Sequence, residues 1–173
     1  MRAVFFLIAA AWGMTGAAAT FVPIQQRTLG MPVSNMLLSD MQDTFNQGRP
    51  GERRHEATDI LAARGTPVLA VEDGTIEKLF LSQPGGKTIY QFDPSEHYCY
   101  YYAHLDRYVE GLHEGMRVER GDAIGFVGST GNADPRTPHL HFAIFELGPE
   151  RQWWSGKAVN PYAGLVAAVK RAK

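Results

Sequence analysis

The stretch "TPHLHFAIFE", residues 137–146, decides the fold and raises the first functional question. Its apolar residues are Leu140, Phe142, Ile144 and Phe145. A period of two along the stretch predicts a half-buried β-strand that carries His139 and His141 on one face. Neutral imidazole is the commonest metal ligand, so two rings on one face favour metal binding, with a pair of structural histidines as the alternative.

The segments before this strand also have the pattern of short strands joined by turns. Residues 65–82, "GTPVLAVEDGTIEKLFLS", alternate in polarity and have a hairpin signal at the Asp-Gly pair, 73–74. Residues 87–93, "KTIYQFD", and 97–105, "HYCYYYAHL", are rich in the aromatic residues that strands favour. Residues 115–131 have a glycine every few positions, which predicts short strands and tight turns.

These strands predict an all-β fold, a small folded-over antiparallel β-sheet domain. A lead-in segment at residues 20–50 contains "VSNMLLSDMQDTF", residues 33–45, which is predicted to form one or two helical turns with Ser34 as a cap. The tail "NPYAGLVAAVKRAK", residues 160–173, predicts a short amphipathic C-terminal helix.

Residues 1–19, "MRAVFFLIAAAWGMTGAAA", have the pattern of a secretory signal peptide. Arg2 precedes a short apolar run, and the alanines at 17–19 provide small residues for cleavage. The run is too short for a spanning helix, and a buried N-terminal helix or an uncleaved anchor are the alternatives. We expect no transmembrane segment in the mature chain, because no later stretch is long and apolar enough.

Composition narrows the class of protein further. The 173 residues suffice for one domain with its own core, and a formal net charge of −1 gives no reason to expect a nucleic-acid partner. The single cysteine, Cys99, cannot form an internal disulfide and is predicted to be a small buried residue. A reactive thiol activated by His97 or His104 is the alternative.

Further metal-ligand candidates occur upstream, in "HEATD", residues 55–59. His55 and Asp59 are four positions apart, so they share a face in either a strand or a helix. One histidine of the later pair would complete a His2Asp set, and three protein ligands with one open position are typical of a catalytic zinc site. Water activated at such a site needs a base and an oxyanion donor, for which His139 and His104 are the candidates.

Together these motifs resemble the lysostaphin-type, or LytM-domain, zinc peptidases, a family of peptidoglycan endopeptidases. The motifs are "HEATD", "YAHL" and "PHLHF", and the spacers "RGTPVLAVEDGTI" and "EGMRVERGDAIGFVGSTG" are similar as well. The resemblance extends from about Arg53 to Phe142. It implies an antiparallel β architecture with the site in a groove, and a zinc peptidase domain at residues 51–173.

The resemblance also implies a role for each matching residue. His55, Asp59 and His141 match three ligands of one Zn2+ per chain. His139 and His104 match two catalytic histidines. One of these acts as general base and the other stabilises the tetrahedral intermediate, and the motif leaves open which residue does which task.

Some positions depart from the family's pattern or match none of it. Ala57 stands where the family often has Gly, and Ala143 where it often has Glu. The loop at residues 131–139 is also longer than the common form, so one wall of the groove is expected to differ. His97 and His113 match no ligand position and are predicted to have ordinary surface or packing roles.

Two further segments could border the groove. Trp153 and Trp154, in "QWWSG", are predicted either to pack in the core or to form a stacking rim for sugar or peptide. The lead-in is too short for a full inhibitory prodomain, although it could still cover the groove.

The resemblance and the signal peptide predict an exported zinc endopeptidase that hydrolyses peptide cross-links of bacterial peptidoglycan. Peptidoglycan stem peptides are then the expected partner, and the periplasm is preferred over the medium. Two alternatives stay open. One is a catalytically inactive module that regulates other cell-wall hydrolases, and the other is a zinc peptidase that acts on another peptide.

Overall fold

The chain folds into an antiparallel sheet and one short α-helix, in a computed structural model that describes residues 21–49, 51 and 53–172. The signal peptide predicted at residues 1–19 lies outside the described residues. The strands are β1 Gly48–Arg49, β2 Arg53–Arg54, β3 Thr58–Leu61, β4 Pro67–Leu69, β5 Gly74–Ser82, β6 Gly86–Phe92, β7 Tyr98–Tyr108, β8 Arg117–Val118, β9 Ala123–Val127, β10 His139–Leu147 and β11 Gly156–Val159. The helices are two 3-10 turns, Ile24–Gln26 and Leu38–Asp40, and α1, Tyr162–Arg171. The all-β prediction and the C-terminal helix are confirmed.

The sheet folds over because its two longest inner strands change partners along their length. The order of the main path is β11-β10-β7-β6-β5-β8. The first half of β10 pairs with β3 and its second half with β11, while β7 lies along its other edge. The first half of β7 pairs with β6 and its second half with β9, which pairs in turn with β4. The predicted folded-over antiparallel sheet is therefore confirmed.

Alternation along β10 separates the core from the groove. Leu140, Phe142 and Ile144 are fully buried, and the ring of Tyr102 packs against Phe142 at a centroid distance of 5.3 Å. Burial of each of these side chains stabilises the folded state by about 1.5–3 kcal/mol relative to leaving it exposed to water. The alternate positions of β10, which include both histidines, lie on the opposite face of the sheet.

The lead-in packs into the same core. Its buried residues are Leu29, Val33, Met36 and Met41. Isolated bridges join Val33 to Val68 of β4 and Met41 to Ile60 of β3. The part of the segment between Leu29 and Met41 therefore packs into the core, on the side of the sheet away from the groove.

Three local predictions need correction. The helix predicted in the lead-in is one 3-10 turn, Leu38–Asp40, and Ser34 does not cap it, because its N-cap residue is Leu37. The hairpin predicted at residues 73–74 is wrong, since β4 pairs with β9 and β5 pairs with β6. Gly74 serves instead for a close approach, because a Cβ there would lie 2.0 Å from the carbonyl oxygen of Phe92.

Several elements extend beyond the sequence pattern, among them the short strands β1 and β2 that precede His55. Strand β7 continues three residues past the predicted segment 97–105, to Tyr108, and the four-residue strand β11 was not predicted. In the described part of the chain, no helix is long and apolar enough to cross a membrane.

Candidate metal centre

Three side chains meet at one end of the groove and form a triangle of ligand atoms. Nε2 of His55 lies 3.1 Å from both Oδ1 of Asp59 and Nδ1 of His141. The last two atoms are 2.9 Å apart. Atoms held about 2.0–2.2 Å from a common zinc ion are separated by a similar distance, so the triangle fits such an ion. The predicted convergence of these three residues is present in the structure.

Pairing of β10 with β3 brings two of the three residues together. His141 and Asp59 are direct cross-strand partners, and such partners have Cβ atoms about 4.5–5.5 Å apart on one face. His139 lies two residues before His141 on the same face. The position of these side chains follows from the register of two strands.

The third ligand candidate is held differently. His55 precedes β3 in an irregular segment, so the four-residue spacing to Asp59 spans neither a strand nor a helix. Glu56, next to His55, has a φ of +56° and turns the chain sharply. The amide of His55 donates to the carbonyl of Gln47 at 2.9 Å, and Nδ1 of its ring lies 2.9 Å from Oγ1 of Thr44.

The protonation states suit a metal ligand set. Burial alone would raise the pKa of Asp59, but hydrogen bonds from His141 and His55 hold that pKa well below the usual range. Burial lowers the pKa of His141, which favours its neutral ring. Metal binding requires a charged carboxylate and neutral imidazoles, so the residues present fit a divalent ion.

His104 reaches the groove because β7 is irregular at this residue. Its pairing with β6 changes register between Lys87 and Ile89, and His104 has a φ of +61°, which residues other than glycine rarely adopt. In a regular strand, Ala103 and Leu105 would share a face. Instead, Leu105 is buried in the core and His104 lines the groove beside Ala103. Backbone strain of about 1–3 kcal/mol is typical of functional sites.

The loop after β9 fixes the ring of His104. Nδ1 of His104 lies 2.8 Å from the carbonyl oxygen of Thr130. Gly131 allows the loop to approach, because its φ is +78° and a Cβ there would lie 2.3 Å from the amide nitrogen of Gly86. Burial lowers the pKa of His104 to about 4, although the hydrogen bond to Thr130 opposes the shift. The ring is therefore neutral at pH 7.

His139 has a similar anchor. Its Nδ1 lies 2.9 Å from the carbonyl oxygen of Thr137, and its Nε2 lies 3.9 Å from Oδ1 of Asp59. The rings of His139 and His104 are 5.0 Å apart. In both residues Nδ1 donates to a backbone carbonyl, so the neutral ring keeps a lone pair on Nε2.

The groove that contains these residues has a volume of about 550 Å3. Arg49, Arg53 and Arg54 line it on the side of the β1–β2 hairpin, beside Asp59. Residues of the loop 131–139, between positions 132 and 137, form another part of its wall. The groove is polar and carries positive charge close to the metal centre.

Other candidates lie away from the groove. Nδ1 of His97 bonds to the carbonyl of Ser95 at 2.9 Å, and Nδ1 of the exposed His113 lies 2.9 Å from that of Glu114. Cys99 is fully buried, and burial raises the pKa of its thiol far above the usual range. The prediction that Cys99 is buried is confirmed, and neither His97 nor His113 lines the groove.

Sequence reasoning missed two residues of the lead-in that contact the ligand candidates. They are Thr44, bonded to His55, and Arg49, whose Nη2 lies 3.3 Å from Oδ2 of Asp59. They lie 11 and 10 residues from those partners, without a periodic pattern that could have identified them. Within residues 21–49, Arg49 alone lines the groove, so the described lead-in supports the centre and leaves the groove open.

Comparison with known proteins gives the same family as the sequence motifs. One relative, from Bacillus subtilis, is named L-Ala–D-Glu endopeptidase and is 36% identical to this chain over 126 residues. The match covers 70% of this chain and 37% of that protein. Another, from Vibrio cholerae, is named peptidoglycan DD-endopeptidase ShyC and is 34% identical over 120 residues. The match covers 64% of this chain and 27% of that protein. The chain thus spans only about a third of the length of these relatives.

A solved structure is also similar. It is the catalytic domain of the antimicrobial peptidase lysostaphin from Staphylococcus simulans, with a TM-score of 0.58 and 30% identity. The match covers 69% of this chain and 84% of that domain. Residues 53–161, which include all five histidine and aspartate positions of the centre, match the family model described as Peptidase family M23. On that match, the chain belongs to peptidase family M23.

Proposed function

We propose that the chain is an exported zinc endopeptidase that hydrolyses peptide cross-links of bacterial peptidoglycan. The observation that carries this proposal is the convergence of His55, Asp59 and His141 in a domain of family M23. Two further histidine rings lie beside this triangle, since the ring of His104 is 5.6 Å from that of His141 and 5.0 Å from that of His139. An intact set of five such residues supports an enzyme over an inactive regulatory module.

The donor set supports zinc as the metal, with one ion per chain. Two imidazole nitrogens and one carboxylate oxygen are ligands that zinc accepts, and three protein ligands leave a position for water or substrate. Zinc bound at such a site supplies Lewis acidity, which polarises a scissile carbonyl and lowers the pKa of water toward ~7.

His104 and His139 are proposed to transfer the proton and to stabilise the oxyanion. Their Nδ1 atoms are held by the carbonyls of Thr130 and Thr137, which points Nε2 of each ring toward the groove. A neutral Nε2 accepts a proton from attacking water, and the protonated ring then donates to the oxyanion or to the leaving amine. Both tasks need rings of fixed orientation, which the two backbone contacts provide.

The relatives and the charge of the groove support a cell-wall peptide as substrate. The two relatives are named for different bonds, so their names do not single out one bond of the stem peptide. Arg49, Arg53 and Arg54 line the groove, and their positive charge complements the carboxylates that stem peptides carry.

Export is proposed from the pattern of residues 1–19, with removal of that segment as a signal peptide. Residues 20–50 are then the lead-in of the mature chain and residues 51–173 its zinc peptidase domain, with the periplasm preferred over the medium. A wall substrate is reached only by an exported protein. N-terminal sequencing of the protein recovered outside the cytoplasm is expected to begin at Thr20, and a chain that retains residue 1 contradicts the assignment.

Metal analysis and a digestion assay test the proposed activity together. The purified mature protein is expected to contain about one zinc per chain and to release cross-linked peptides from peptidoglycan, with loss of activity on chelation and recovery on adding zinc. Zinc without cleavage of peptidoglycan contradicts the substrate, and cleavage of an unrelated peptide would then indicate the other zinc peptidase alternative. A protein that binds no zinc contradicts the whole proposal.

A further inference from the structure

A cluster of six aromatic rings lies on the groove face of the sheet, next to the metal centre. We call it the aromatic platform, and its residues are Phe80, Tyr90, Tyr101, Phe145, Trp153 and Trp154. Tyr90 contacts Tyr101 and Trp153 at centroid distances of 4.7 Å each. Trp153 also contacts Phe80 at 5.4 Å and Trp154 at 5.3 Å. The rings form a continuous surface.

The platform lies at the surface, because two of its rings are exposed and the other four are half-buried. Trp154 is 63% exposed and Phe80 is 39% exposed. Five of the rings, all except that of Phe80, border a hollow of about 430 Å3, whose remaining lining is Ser155 and Gly156. Contiguous exposed apolar patches often mark binding sites, whereas single scattered apolar residues are a normal feature of protein surfaces. The core-packing interpretation is wrong for Trp154, whereas Trp153 is half-buried against Phe80 and Tyr90 at the surface.

The platform is continuous with the metal centre. Tyr101 lines both the groove and the hollow, and its ring lies 6.0 Å from that of His141. Phe145 of β10 lines the hollow and also the space beside His55 and His141. A ligand whose peptide lies over the metal centre can therefore extend onto the rings without leaving the surface.

Charge distinguishes the two ends of this surface. Arginines line the groove beside the metal centre, whereas the described lining of the hollow contains no charged residue. The polar side-chain groups of its lining residues are the hydroxyls of Tyr90, Tyr101 and Ser155 and the indole N–H groups of the two tryptophans. Aromatic faces with hydroxyl groups at their edge suit a neutral ring that has an apolar C–H face and a polar rim.

We propose that the aromatic platform is a saccharide subsite, which holds glycan rings while the attached peptide lies over the metal centre. This inference rests on the proposed function, because peptidoglycan joins neutral N-acetylated sugars to charged peptides. The path from His141 to Trp153 passes Tyr101 and Tyr90 in steps of 4.7–6.0 Å. No more than roughly five extended residues, at ~3.3–3.6 Å each, are needed to cover it.

Substitution of the most exposed ring tests the proposal on two substrates. Trp154→Ala is expected to lower kcat/KM about 10-fold on intact peptidoglycan and to leave it unchanged on a glycan-free cross-linked peptide dimer. Trp154→Tyr should retain most of the activity on peptidoglycan, because a ring remains. Phe21→Ala is the matched control, since Phe21 is 45% exposed and lies outside the platform.

A binding measurement separates this subsite from the catalytic proposal. Titration with an N-acetylglucosamine tetrasaccharide is expected to change the tryptophan fluorescence of the native protein, and the change should be lost in Trp154→Ala. A fluorescence response in a protein that cleaves neither substrate would overturn the proposed function and leave the saccharide subsite standing.

Three other outcomes overturn the subsite itself. Equal losses on peptidoglycan and on the glycan-free dimer would make the platform a peptide subsite. Sedimentation of the native protein as a dimer, with Trp154→Ala as a monomer, would make it a contact between two copies. Unchanged kinetics on both substrates, without a fluorescence response to the tetrasaccharide, would mean that saccharide does not bind there.

Discussion

The two halves of the metal centre are built in different ways. Asp59 and His141 face each other across the β3–β10 ladder, where backbone hydrogen bonds of two strands set their positions. His55 lies outside the strands, and contacts from the lead-in hold it, namely the carbonyl of Gln47 and the hydroxyl of Thr44. The ladder half, Asp59 and His141, therefore depends on sheet register. The other half, His55, depends on a few individual side chains and carbonyls.

This difference has a consequence for substitutions. A ladder position tolerates changes in neighbouring side chains, because the pairing is carried by the backbone. A loop position moves when a single supporting side chain is lost, and outer contacts of metal-binding histidines typically account for 10–100-fold in affinity. The centre should thus be sensitive to changes in the lead-in that do not touch the ion.

The largest effect is expected within the ladder half, where the two neighbouring histidines are assigned different tasks. His141→Ala removes a ligand and should abolish binding of zinc. His139→Ala should retain about one zinc per chain and lose about 100–10,000-fold in activity, as expected for a general acid–base residue or an oxyanion donor. Zinc content and peptidoglycan digestion of the two variants, measured side by side, check both statements.

His113→Ala is the control for this pair, because His113 is exposed and lies away from the groove. It should match the native protein in zinc content and in activity. Zinc retained by His141→Ala, or zinc lost from His139→Ala, would reverse the two assignments.

The next largest effect concerns the far end of the lead-in. The buried guanidinium of Arg27 bonds to Glu72 at 2.8 Å and to Asp93 at 2.9 Å, and lies 4.7 Å from the ring centroid of Tyr98. Arg27→Met leaves a buried carboxylate without its cation, so we expect a loss of about 3 kcal/mol in free energy of unfolding. Urea denaturation measures it. Arg151→Met, which breaks an exposed pair with Glu96, should cost less than about 1 kcal/mol.

The same cluster predicts an acid dependence of stability. Burial alone would raise the pKa of Asp93, but hydrogen bonds from Ser95 and from the amide of Tyr98, with the charge of Arg27, hold that pKa below its usual value. A lowered pKa stabilises the folded state above the unfolded value of ~3.9, and this stabilisation is lost as the pH falls through the folded value. Asp93→Asn has no carboxyl group to protonate at this position. In thermal unfolding below about pH 4, its melting temperature should therefore fall less with decreasing pH than that of the native protein.

A smaller effect separates the two halves directly. Thr44→Val removes the hydroxyl that orients His55 and should weaken zinc binding about 10–100-fold in competition with a chelator, whereas Thr44→Ser should bind as the native protein does. Thr58→Val makes the same change in β3, next to Asp59. The buried hydroxyl of Thr58 has no hydrogen-bond partner among the described residues, so zinc affinity should not change. Equal effects of the two valine variants would remove the distinction between the halves.

The sequence predicts the ladder half well, because period-two alternation and motif spacing are local signals. Alternation around His139 and His141 identified the strand and its groove face, and all five candidate residues line the same groove. The supports of His55 could not be predicted, since Thr44 is 11 residues away and its contact depends on how the lead-in folds back. The orientation of His104 was equally hidden, because a bulge with positive φ leaves no pattern in side-chain type.

The smallest effect is expected at Arg49, the other lead-in residue that contacts the centre. Its guanidinium is exposed and lies 3.3 Å from Oδ2 of Asp59, the oxygen that faces away from the histidines. Exposed pairs contribute about 0–1 kcal/mol, so Arg49→Gln should change zinc affinity by no more than about fivefold. High salt should reduce even this difference, because exposed charges are screened at short range. A loss as large as that of Thr44→Val would mean that lead-in charge also positions Asp59, and the ladder half would then depend on the lead-in as well.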